Sequence, residues 1–393
     1  MSRSTDPNHF FQSSHSLAEA NRKEYKSKIN NGSPIRLQSK ILAAIADPTN
    51  DNTTYIAESV GTARRIVLDD QRQTTHIYRG PSAPITSLAI SVSSSDETLF
   101  AGSWDKSIWS WSTSTPTPKR RYSGHTDFVT ALLSLTINTV PILISGSSDA
   151  SIIVWDITSG SKLHTLKSHT RGILDLAIDP TTYPPSEDTT VITFFSASSD
   201  RTIRRWNLST DLQSSSELDA ENPIIQHRTN VYALRFDADS DLWTASADGT
   251  SKCLSHIHNF EVDTTLRHGD CVRAVAVDDC GDWIVTAGRD EHVKVWERAS
   301  GKLHHTYEGH FEEVTGLVVV GGQKVVSVSI DKTVRQWSME RNDLARAREA
   351  AEKARNGIDD DENDANKVKD VRAGGMTEEE EKELEELMEV DDD

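Results

Sequence analysis

The chain has 393 residues, of which 36% are hydrophobic and 26% are charged, and its net charge is −19. This low apolar share predicts polar termini or wide loops around a smaller core. Because no apolar run reaches the roughly 18 residues of a membrane-spanning helix and the N terminus lacks the apolar stretch of a secretory signal, we expect neither a membrane protein nor an ordinary secreted protein.

The first 32 residues form an N-terminal extension that is partly helical. Residues 15–29 have helical character with a thin apolar stripe made of Leu17, Tyr25 and Ile29. A docked lead-in to the following domain is the favoured interpretation, and a helix that binds a partner is the alternative.

A repeat begins after this extension and runs through most of the chain. Six segments share one pattern, an apolar run, a turn with an aspartate and a second apolar run. The turn aspartates lie 44, 51, 48, 42 and 41 residues apart. Counting back one repeat from Asp105 reaches Gly61, where Ala57 aligns with Ala101, and this gives a seventh unit. The six aspartates are Asp105, Asp149, Asp200, Asp248, Asp290 and Asp331.

Each unit contains short stretches in which apolar and polar residues alternate, which is typical of β-strands. In unit 3 the stretches FVTALLSLTI, PILISGS, SIIVWDI and KLHTLK predict four strands, with SSDA as the turn between the second and the third. One such sheet cannot bury both of its faces. The sequence therefore predicts an all-β fold in which seven four-stranded sheets pack face to face around an axis.

These units resemble the WD40 repeat family over residues from about 35 to 340. The resemblance implies a structural hydrogen-bond tetrad of His, Ser or Thr, Asp and Trp. Unit 5 keeps His227, Thr244 and Asp248 but has Leu254 in place of Trp, unit 2 has Ala101 in place of the serine, and unit 1 has no tetrad residue. The four complete tetrads are His125, Ser145, Asp149 and Trp155; His169, Ser196, Asp200 and Trp206; His268, Thr286, Asp290 and Trp296; and His310, Ser327, Asp331 and Trp337.

The tetrads argue against catalysis because a nucleophile would occur once and not four times. Buried Trp and His side chains need hydrogen-bond partners, and an Asp and a hydroxyl in fixed register supply them. We find no phosphate-binding loop, metal-ligand spacing or paired-carboxylate motif. The sequence therefore predicts no enzyme activity, no cofactor and no metal site.

The two ends of the repeat region are expected to meet. Unit 7 ends at VRQWSMERND without a fourth strand, and in the family that this chain resembles the missing strand comes from residues ahead of unit 1. We expect Ser33 to Gln38 to pair with the strand Val334 to Trp337, which removes an open sheet edge. The propeller would then span residues 33–340.

The C-terminal region differs from the repeats in composition. Residues 341–357 predict a charged, alanine-rich helix. Residues 357–393 hold 17 acidic and 4 basic residues, which contribute −13 and leave −6 for the rest of the chain. We expect 358–393 to be a disordered acidic tail. It contains a possible short helix near Leu384, Leu387 and Met388 that is either solvated or able to dock when a partner is present.

Unit 4 carries two long segments, 181–190 and 211–223, that we expect to emerge as mobile loops on the wide face of the propeller, with a regulatory contact surface as the alternative. The family resemblance places partner binding on the opposite, narrow face. The residues predicted to bind partners there are Trp104, Phe128, Tyr232, Arg273 and Arg289.

The favoured function is a non-enzymatic scaffold or adaptor, built on a propeller that is monomeric within a larger complex, with proteins or peptides as partners. Acidic or phosphorylated segments would bind the arginines of the narrow face, and basic partners would bind the tail. The alternatives are an acidic chaperone for histone or ribosomal proteins and, remotely, a propeller enzyme. The acidic tail disfavours direct nucleic acid binding, and no membrane binding is expected. The three cysteines, Cys253, Cys271 and Cys280, fit a reducing compartment, the cytoplasm or the nucleus.

Overall fold

The computed structural model describes residues 14–68, 76–92, 97–186, 189–278, 282–350 and 352–353, with side chains described from residue 17 onward. Its β-strands form seven antiparallel sheets of four strands each, and the sheets are the blades of a propeller. This confirms the predicted all-β, seven-bladed fold. No helix in the described ranges is long and apolar enough to cross a bilayer.

Blades 1 to 6 each consist of four consecutive strands. Blade 1 has β2 (Ile41–Ala46), β3 (Thr53–Glu58), β4 (Thr62–Val67) and β5 (Ile77–Arg79); blade 2 has β6 (Ile85–Val92), β7 (Glu97–Ser103), β8 (Ser107–Ser112) and β9 (Pro118–Ser123); blade 3 has β10 (Val129–Ile137), β11 (Val140–Ser147), β12 (Ser151–Asp156) and β13 (Lys162–Lys167). Blade 4 has β14 (Ile173–Ile178), β15 (Val191–Ser198), β16 (Ile203–Ser209) and β17 (Ser215–Leu218); blade 5 has β18 (Val231–Phe236), β19 (Leu242–Ser246), β20 (Thr250–Ser255) and β21 (Glu261–Arg267); blade 6 has β22 (Val272–Val277), β23 (Trp283–Gly288), β24 (Val293–Glu297) and β25 (Leu303–Tyr307).

Blade 7 closes the ring with a strand from the other end of the chain. It contains β26 (Val314–Val320), β27 (Lys324–Ser329) and β28 (Thr333–Ser338), and its outer strand is β1 (Ile35–Arg36). Ile35 pairs with Val334 and Arg36 pairs with Thr333. The predicted closure is therefore confirmed, although the paired strand is shorter than Ser33 to Gln38. Gly32 precedes it at φ +70°, where an added Cβ would lie 2.8 Å from the Trp337 ring, so this turn requires glycine.

The hydrophobic core lies between the blades because each sheet buries both faces against its neighbours. Blades 1 and 2 share a cluster that includes Tyr55 and Trp111, and blades 3 and 4 share one that includes Ile144 and Phe194. In most blades the second strand is the most enclosed, as in β3 and β23, where every residue is buried. The outer strand β9 is mostly exposed. The strands therefore hold the loops at both ends of the blades in fixed positions.

The structure corrects the predicted alignment of unit 1 by one residue. Ala57 pairs with Ala63 across the β3–β4 turn, as Gly102 pairs with Ile108 in blade 2. Ala57 is therefore equivalent to Gly102 and not to Ala101. Val60 occupies the position at which the other six units have the turn aspartate. Without that aspartate, the sequence of unit 1 could not be aligned with the other units to the exact residue. A shift of one residue exchanges the two faces of a strand.

The two long segments of unit 4 are more ordered than predicted. Residues 211–223 do not form one loop, because they contain the outer strand β17. Tyr183, within 181–190, packs against the core shared by blades 3 and 4, and its hydroxyl accepts a hydrogen bond from the Thr136 backbone N–H at 3.1 Å. His164 of blade 3 bonds the Leu212 carbonyl at 2.9 Å. These contacts hold both segments against blade 3.

Helix α1 (Ser14–Ser27) precedes the propeller. The predicted apolar stripe is not buried, since Leu17 is 38% and Tyr25 74% exposed. The chain divides into two units after Glu340, and residues 341–350 are helical. The predicted acidic tail, 358–393, including Leu384, Leu387 and Met388, lies outside the described residues.

Candidate functional site

The narrow face is the end of the propeller formed by two kinds of connection. One joins the outer strand of a blade to the first strand of the next, and the other is the turn between the second and third strands of one blade. The tetrads tie the two connections together. In blade 3, His125 Nδ1 lies 3.1 Å from Asp149 Oδ2 and His125 Nε2 lies 2.8 Å from Ser145 Oγ, to which Trp155 Nε1 donates at 2.8 Å.

The other three complete tetrads have the same contacts at 2.7 to 2.9 Å, with the imidazole of His268 reversed relative to the others. The bonds form a relay in which the Trp N–H donates to the hydroxyl, the hydroxyl to the imidazole, and the imidazole to the carboxylate. In this relay one ring nitrogen accepts a hydrogen bond and the other donates one, so the imidazole is assigned as neutral. Every polar atom is satisfied, so the tetrads serve as scaffolding.

The protonation states agree with that relay. Burial lowers the pKa of His125 and of His310, so that both rings are neutral at pH 7. Burial raises the pKa of Asp149, but hydrogen bonds from Ser151 and from backbone N–H groups outweigh it and lower the pKa to about 2. Each aspartate is therefore charged and saturated, and none is placed as a general base toward solvent.

Blades 5, 2 and 1 satisfy the same region by other means. In blade 5, His227 contacts Asp248 and Thr244, while Leu254 is fully buried in the core. In blade 2, Trp109 Nε1 donates directly to Asp105 at 2.9 Å and takes the place of the imidazole.

Blade 1 buries a carboxylate that has no counterpart in the other blades. Glu58 is fully enclosed and accepts hydrogen bonds from Ser39 at 2.6 Å, Thr62 at 2.5 Å and Arg64 at 3.3 Å. Sequence comparison among the units could not detect this cluster, because only blade 1 carries it.

Each first strand has a β-bulge near the narrow face, and a bulge redirects one side chain. In blades 2, 3 and 7 that residue is threonine, and its hydroxyl donates to a carbonyl of the next blade. Thr86 bonds Val129 O at 2.8 Å, Thr130 bonds Ile173 O and Thr315 bonds Ile41 O at 3.0 Å. These threonines join blades and do not face a partner. The seven bulge residues are Leu42, Thr86, Thr130, Leu174, Tyr232, Arg273 and Thr315.

Two of the predicted partner-binding residues form an exposed aromatic pair. The rings of Trp104 and Phe128 stack with centroids 4.9 Å apart and planes inclined by 15°. Both remain open to solvent, at 43% and 37% exposure. The backbone of each is fixed, since Trp104 N donates to Pro84 O at 3.0 Å and Ser148 N donates to Phe128 O at 2.9 Å. We name Trp104 and Phe128 the aromatic pair.

The other predicted partner-binding residues divide into two groups. Arg273 lies over the Tyr232 ring at 4.2 Å from its centroid, with Nε 3.7 Å from Glu313 Oε1, so Tyr232 and Arg273 are engaged with each other. Arg289 is exposed and has no ion-pair partner among the described residues. The two arginines therefore differ: the guanidinium of Arg273 is engaged within the protein, whereas that of Arg289 has no ion-pair partner among the described residues.

Helix α1 lies against the narrow side of blades 6 and 7 through charged contacts. Arg22 and Lys26 both bind Glu291, with the shortest distances at 2.7 and 2.8 Å, and Lys23 binds Glu312 at 2.7 Å. Glu291 follows the turn aspartate of blade 6, and Glu312 lies in the loop that enters blade 7. The docked lead-in is therefore the arrangement observed, and it leaves blades 1 to 5 as the open part of the narrow face.

Sequence analysis missed three exposed arginines on that open part, Arg171, Arg201 and Arg228. Their positions follow the tetrad residues closely, because Arg171 comes two residues after His169, Arg201 directly after Asp200, and Arg228 directly after His227. Their closeness in sequence to the tetrad residues could have located these arginines on the narrow face.

Blade 5 also contains a group of possible metal ligands, which are already bonded to other groups of the protein. Asp237, Asp241 and Cys253 lie close together. Asp237 binds Arg298 at 2.9 Å and accepts the Trp243 indole N–H at 2.9 Å. Burial raises the pKa of Cys253 to about 12, which disfavours the thiolate that a metal needs. This cluster is structural.

Comparisons with known proteins agree with the fold and its repeats. The family model described as WD domain, G-beta repeat matches residues 72–112, 116–156, 160–207, 260–297 and 301–338. The unmatched stretches include most of blades 1 and 5, where the tetrad is absent or incomplete. Among solved structures, the WD40 β-propeller domain of Doa1 is similar with a TM-score of 0.65 at 21% identity, covering 79% of this chain and 97% of that chain.

Two curated relatives extend this result. An uncharacterized WD repeat-containing protein of Schizosaccharomyces pombe is 34% identical over 351 residues, which cover 86% of this chain and 90% of that protein. The nuclear distribution protein nudF of Aspergillus niger is 31% identical over 198 residues, which cover 50% of this chain and 41% of that protein. The chain belongs to the WD40 family of proteins with WD-domain, G-beta repeats.

Proposed function

We propose that this protein is a non-enzymatic scaffold that binds segments of other proteins on the open part of its narrow face. The observation that carries the proposal is the aromatic pair. Exposed Trp and Phe rings lose solvent contact when a partner covers them, and such residues dominate interface energetics. Because the loops that hold Trp104 and Phe128 are fixed by backbone hydrogen bonds, little conformational entropy would be lost on binding.

The predicted preference for acidic or phosphorylated segments remains part of this proposal. Among the residues predicted from the sequence, Arg289 supports it, because its guanidinium is exposed and has no carboxylate partner in the described part of the chain. Arg289 lies on blade 6, at the border of the open part, in the turn whose Glu291 binds α1. Arg273 would first have to leave Glu313. The proposed cellular site is the cytoplasm or the nucleus, supported by the free thiols of Cys253 and Cys271, while Cys280 lies outside the described residues.

The test is quantitative capture of partners from a cell extract with the parent protein and with Trp104→Ala and Phe128→Ala. Ile257→Ala is the matched control, because Ile257 is 86% exposed in the β20–β21 turn at the opposite end of its blade. We expect both aromatic variants to lose the same set of partners and the control to retain it. If Trp104→Ala and Phe128→Ala are folded and capture the same partners as the parent protein, the proposal is refuted.

An acidic chaperone for basic clients is a second candidate, supported by the 17 acidic residues among residues 357–393. Deletion of 358–393 separates the two candidates. A narrow-face scaffold keeps its partners after the deletion, whereas a charge-based chaperone loses most of its affinity for histone or ribosomal proteins. Enzyme activity has weaker support, because the repeated His and Asp side chains are engaged with each other.

A further inference from the structure

Three exposed arginines surround the narrow-face loops of blades 4 and 5. Arg171 lies in the β13–β14 loop, Arg201 in the β15–β16 turn and Arg228 in the β17–β18 loop. We name them the arginine patch. The loops of Arg171 and Arg201 are directly joined, since Ser199 N donates to Gly172 O at 2.9 Å. Blade 5 is bonded to blade 4 by Asp175, which accepts from Leu234 N at 2.9 Å.

The turn aspartates of blades 4 and 5, Asp200 and Asp248, do not form ion pairs with these arginines, because other donors occupy their acceptor sites. Asp200 accepts hydrogen bonds from His169, from the Thr170 N–H and from both the N–H and the hydroxyl of Thr202. Four donors fill the acceptor sites of a carboxylate. Asp248 is filled in the same way by His227, Arg228 N and Thr250. The carboxylates of Asp200 and Asp248 are therefore hydrogen-bonded within their own blades, and the guanidinium groups of the patch are exposed.

Other arginines of the same blades do have partners. Arg204 pairs with Glu217, and Arg235 pairs with Asp175 at 2.9 Å. In contrast, none of the three patch arginines has an ion pair within the described ranges. Three guanidinium groups without an ion-pair partner among the described residues therefore lie on neighbouring loops of blades 4 and 5.

The backbone at Arg201 permits a substitution that does not strain the fold. Arg201 has φ +66°, and the equivalent turn position has positive φ in every blade, with glycine in blades 1 and 5, Gly61 and Gly249. Glycine adopts this conformation without the strain of an L side chain. Replacement of Arg201 by glycine therefore removes the guanidinium group and preserves the turn.

We propose that the arginine patch binds a linear peptide segment that carries clustered anionic groups, either a run of Glu and Asp or phosphorylated Ser and Thr. This inference rests on the proposed function and assigns the binding of anionic segments to residues of blades 4 and 5. Guanidinium groups bind carboxylates and phosphates through paired hydrogen bonds. The aromatic pair lies on blades 2 and 3, next to the patch, so one segment with an apolar part and an anionic part fits both. A long nucleic acid would meet the negative field of the whole chain.

The test uses the full chain and fluorescently labelled peptides whose binding is measured by anisotropy. One peptide carries a glutamate run, one carries phosphoserines, and one carries glutamines and serines at the same positions. We expect the anionic peptides to bind, with an affinity that falls as salt rises, and the neutral peptide not to bind. The relative affinity of the glutamate and phosphoserine peptides identifies the source of the anionic group.

The decisive variant is Arg201→Gly, because its fold should be at least as stable as the parent. We expect it to lower the affinity for the anionic peptides by about fivefold to tenfold. Arg171→Gln and Arg228→Gln should have similar effects. The matched control is Lys332→Gly, which removes one exposed positive charge from the equivalent turn of blade 7 at φ +70°. It should bind as the parent does.

Three results would overturn the inference: unchanged binding by Arg201→Gly, an equal loss in Lys332→Gly, or tighter binding of a single-stranded oligonucleotide than of either anionic peptide. These results are separable from failure of the proposed function. If Trp104→Ala loses its partners in the capture experiment while Arg201→Gly keeps both partners and peptide, the scaffold proposal stands and the patch has no role. If the patch binds peptide but Trp104→Ala captures as the parent does, the aromatic pair has no role.

Discussion

Blades 3 and 4 bury complete tetrads, whereas blades 1 and 2 reach the same architecture without one. In blade 3 a Trp, a Ser, a His and an Asp form a relay between two connections of the narrow face. In blade 1 a buried glutamate bonds two hydroxyls and an arginine. The difference teaches that the fold requires satisfied polar groups between these connections and not a particular set of residues.

The comparison also explains which blades keep the repeated pattern. All blades share apolar contacts with their neighbours, and these contacts tolerate changes of residue when volume and pattern are kept. A buried hydrogen-bond relay tolerates much less, because the loss of one member leaves the next donor or acceptor unsatisfied. A blade therefore either keeps the tetrad or replaces it with another hydrogen-bonded cluster.

The largest expected effect is from Trp155→Ala in blade 3. The Trp155 side chain is 3% exposed, stands edge-on to Tyr122 at 5.7 Å and donates to Ser145. Its removal leaves a cavity and an unfilled acceptor, so the free energy of unfolding should fall by about 3 to 5 kcal/mol in chemical denaturation. Ser145→Ala separates the hydrogen bonds from the packing. It should cost about 2 kcal/mol, since a buried donor and a buried acceptor lose their partner. A loss below about 1 kcal/mol for Trp155→Ala would refute the structural role of this tetrad.

The next effect is from Glu58→Ala in blade 1. Glu58 is fully buried, and its removal leaves Ser39, Thr62 and Arg64 without their acceptor. We expect a loss of about 3 kcal/mol in the same denaturation measurement. Glu58→Ser is the control, because serine occupies this position in most other blades, where Ser147 bonds the loop and the turn. It should recover part of the loss. If alanine is as stable as the parent, the buried carboxylate does not hold blade 1 together.

The features that recur in the repeats were predicted from the sequence, whereas contacts that occur only once in the molecule were missed. The seven blades and the positions of the four tetrad sets follow from a local pattern that recurs along the chain, whereas the pairing of Ile35 with the last strand was implied by the family resemblance. The docking of α1 depends on Arg22 and Glu291, which are 269 positions apart and belong to no repeat. The register of unit 1 was misplaced because Val60 stands where the other units have aspartate.

The candidate site was predicted in part for the same reason. Position in the repeat located Trp104 and Phe128 on the narrow face, but their stacking depends on two neighbouring blades. Position alone did not distinguish Arg289, which is unpaired among the described residues, from Arg273, which lies on Tyr232. Whether a charged side chain is free depends on the carboxylates around it in three dimensions. The role of these residues in binding stays a prediction.

The smallest expected effect is a difference between blades on mild acidification. Burial lowers the pKa of His125 in blade 3 and of His310 in blade 7 below the usual value of 6.5. The unfolded chain then takes up these protons more readily than the folded chain, so the stabilisation is complete above about pH 6.5 and is lost as the pH falls toward the folded pKa. At about pH 5.5 each histidine can contribute a loss of at most about 1.4 kcal/mol. Asp149, with a pKa of about 2, adds a second loss only as the pH falls from 3.8 toward 2.

Blades 1 and 2 have no tetrad histidine, so amide hydrogen exchange can separate the regions. Between pH 7 and about 5.5 we expect amides in blades 3 and 7 to lose more protection than those in blades 1 and 2, after correction for the intrinsic exchange rate. His125→Asn provides the control, because it removes the titrating group. Its stability should be lower than the parent's at pH 7 but should change less over the same range. Equal pH dependence in the parent and in His125→Asn would show that the imidazole does not cause the acid sensitivity of blade 3, because a group that keeps its ordinary pKa on folding contributes no such slope.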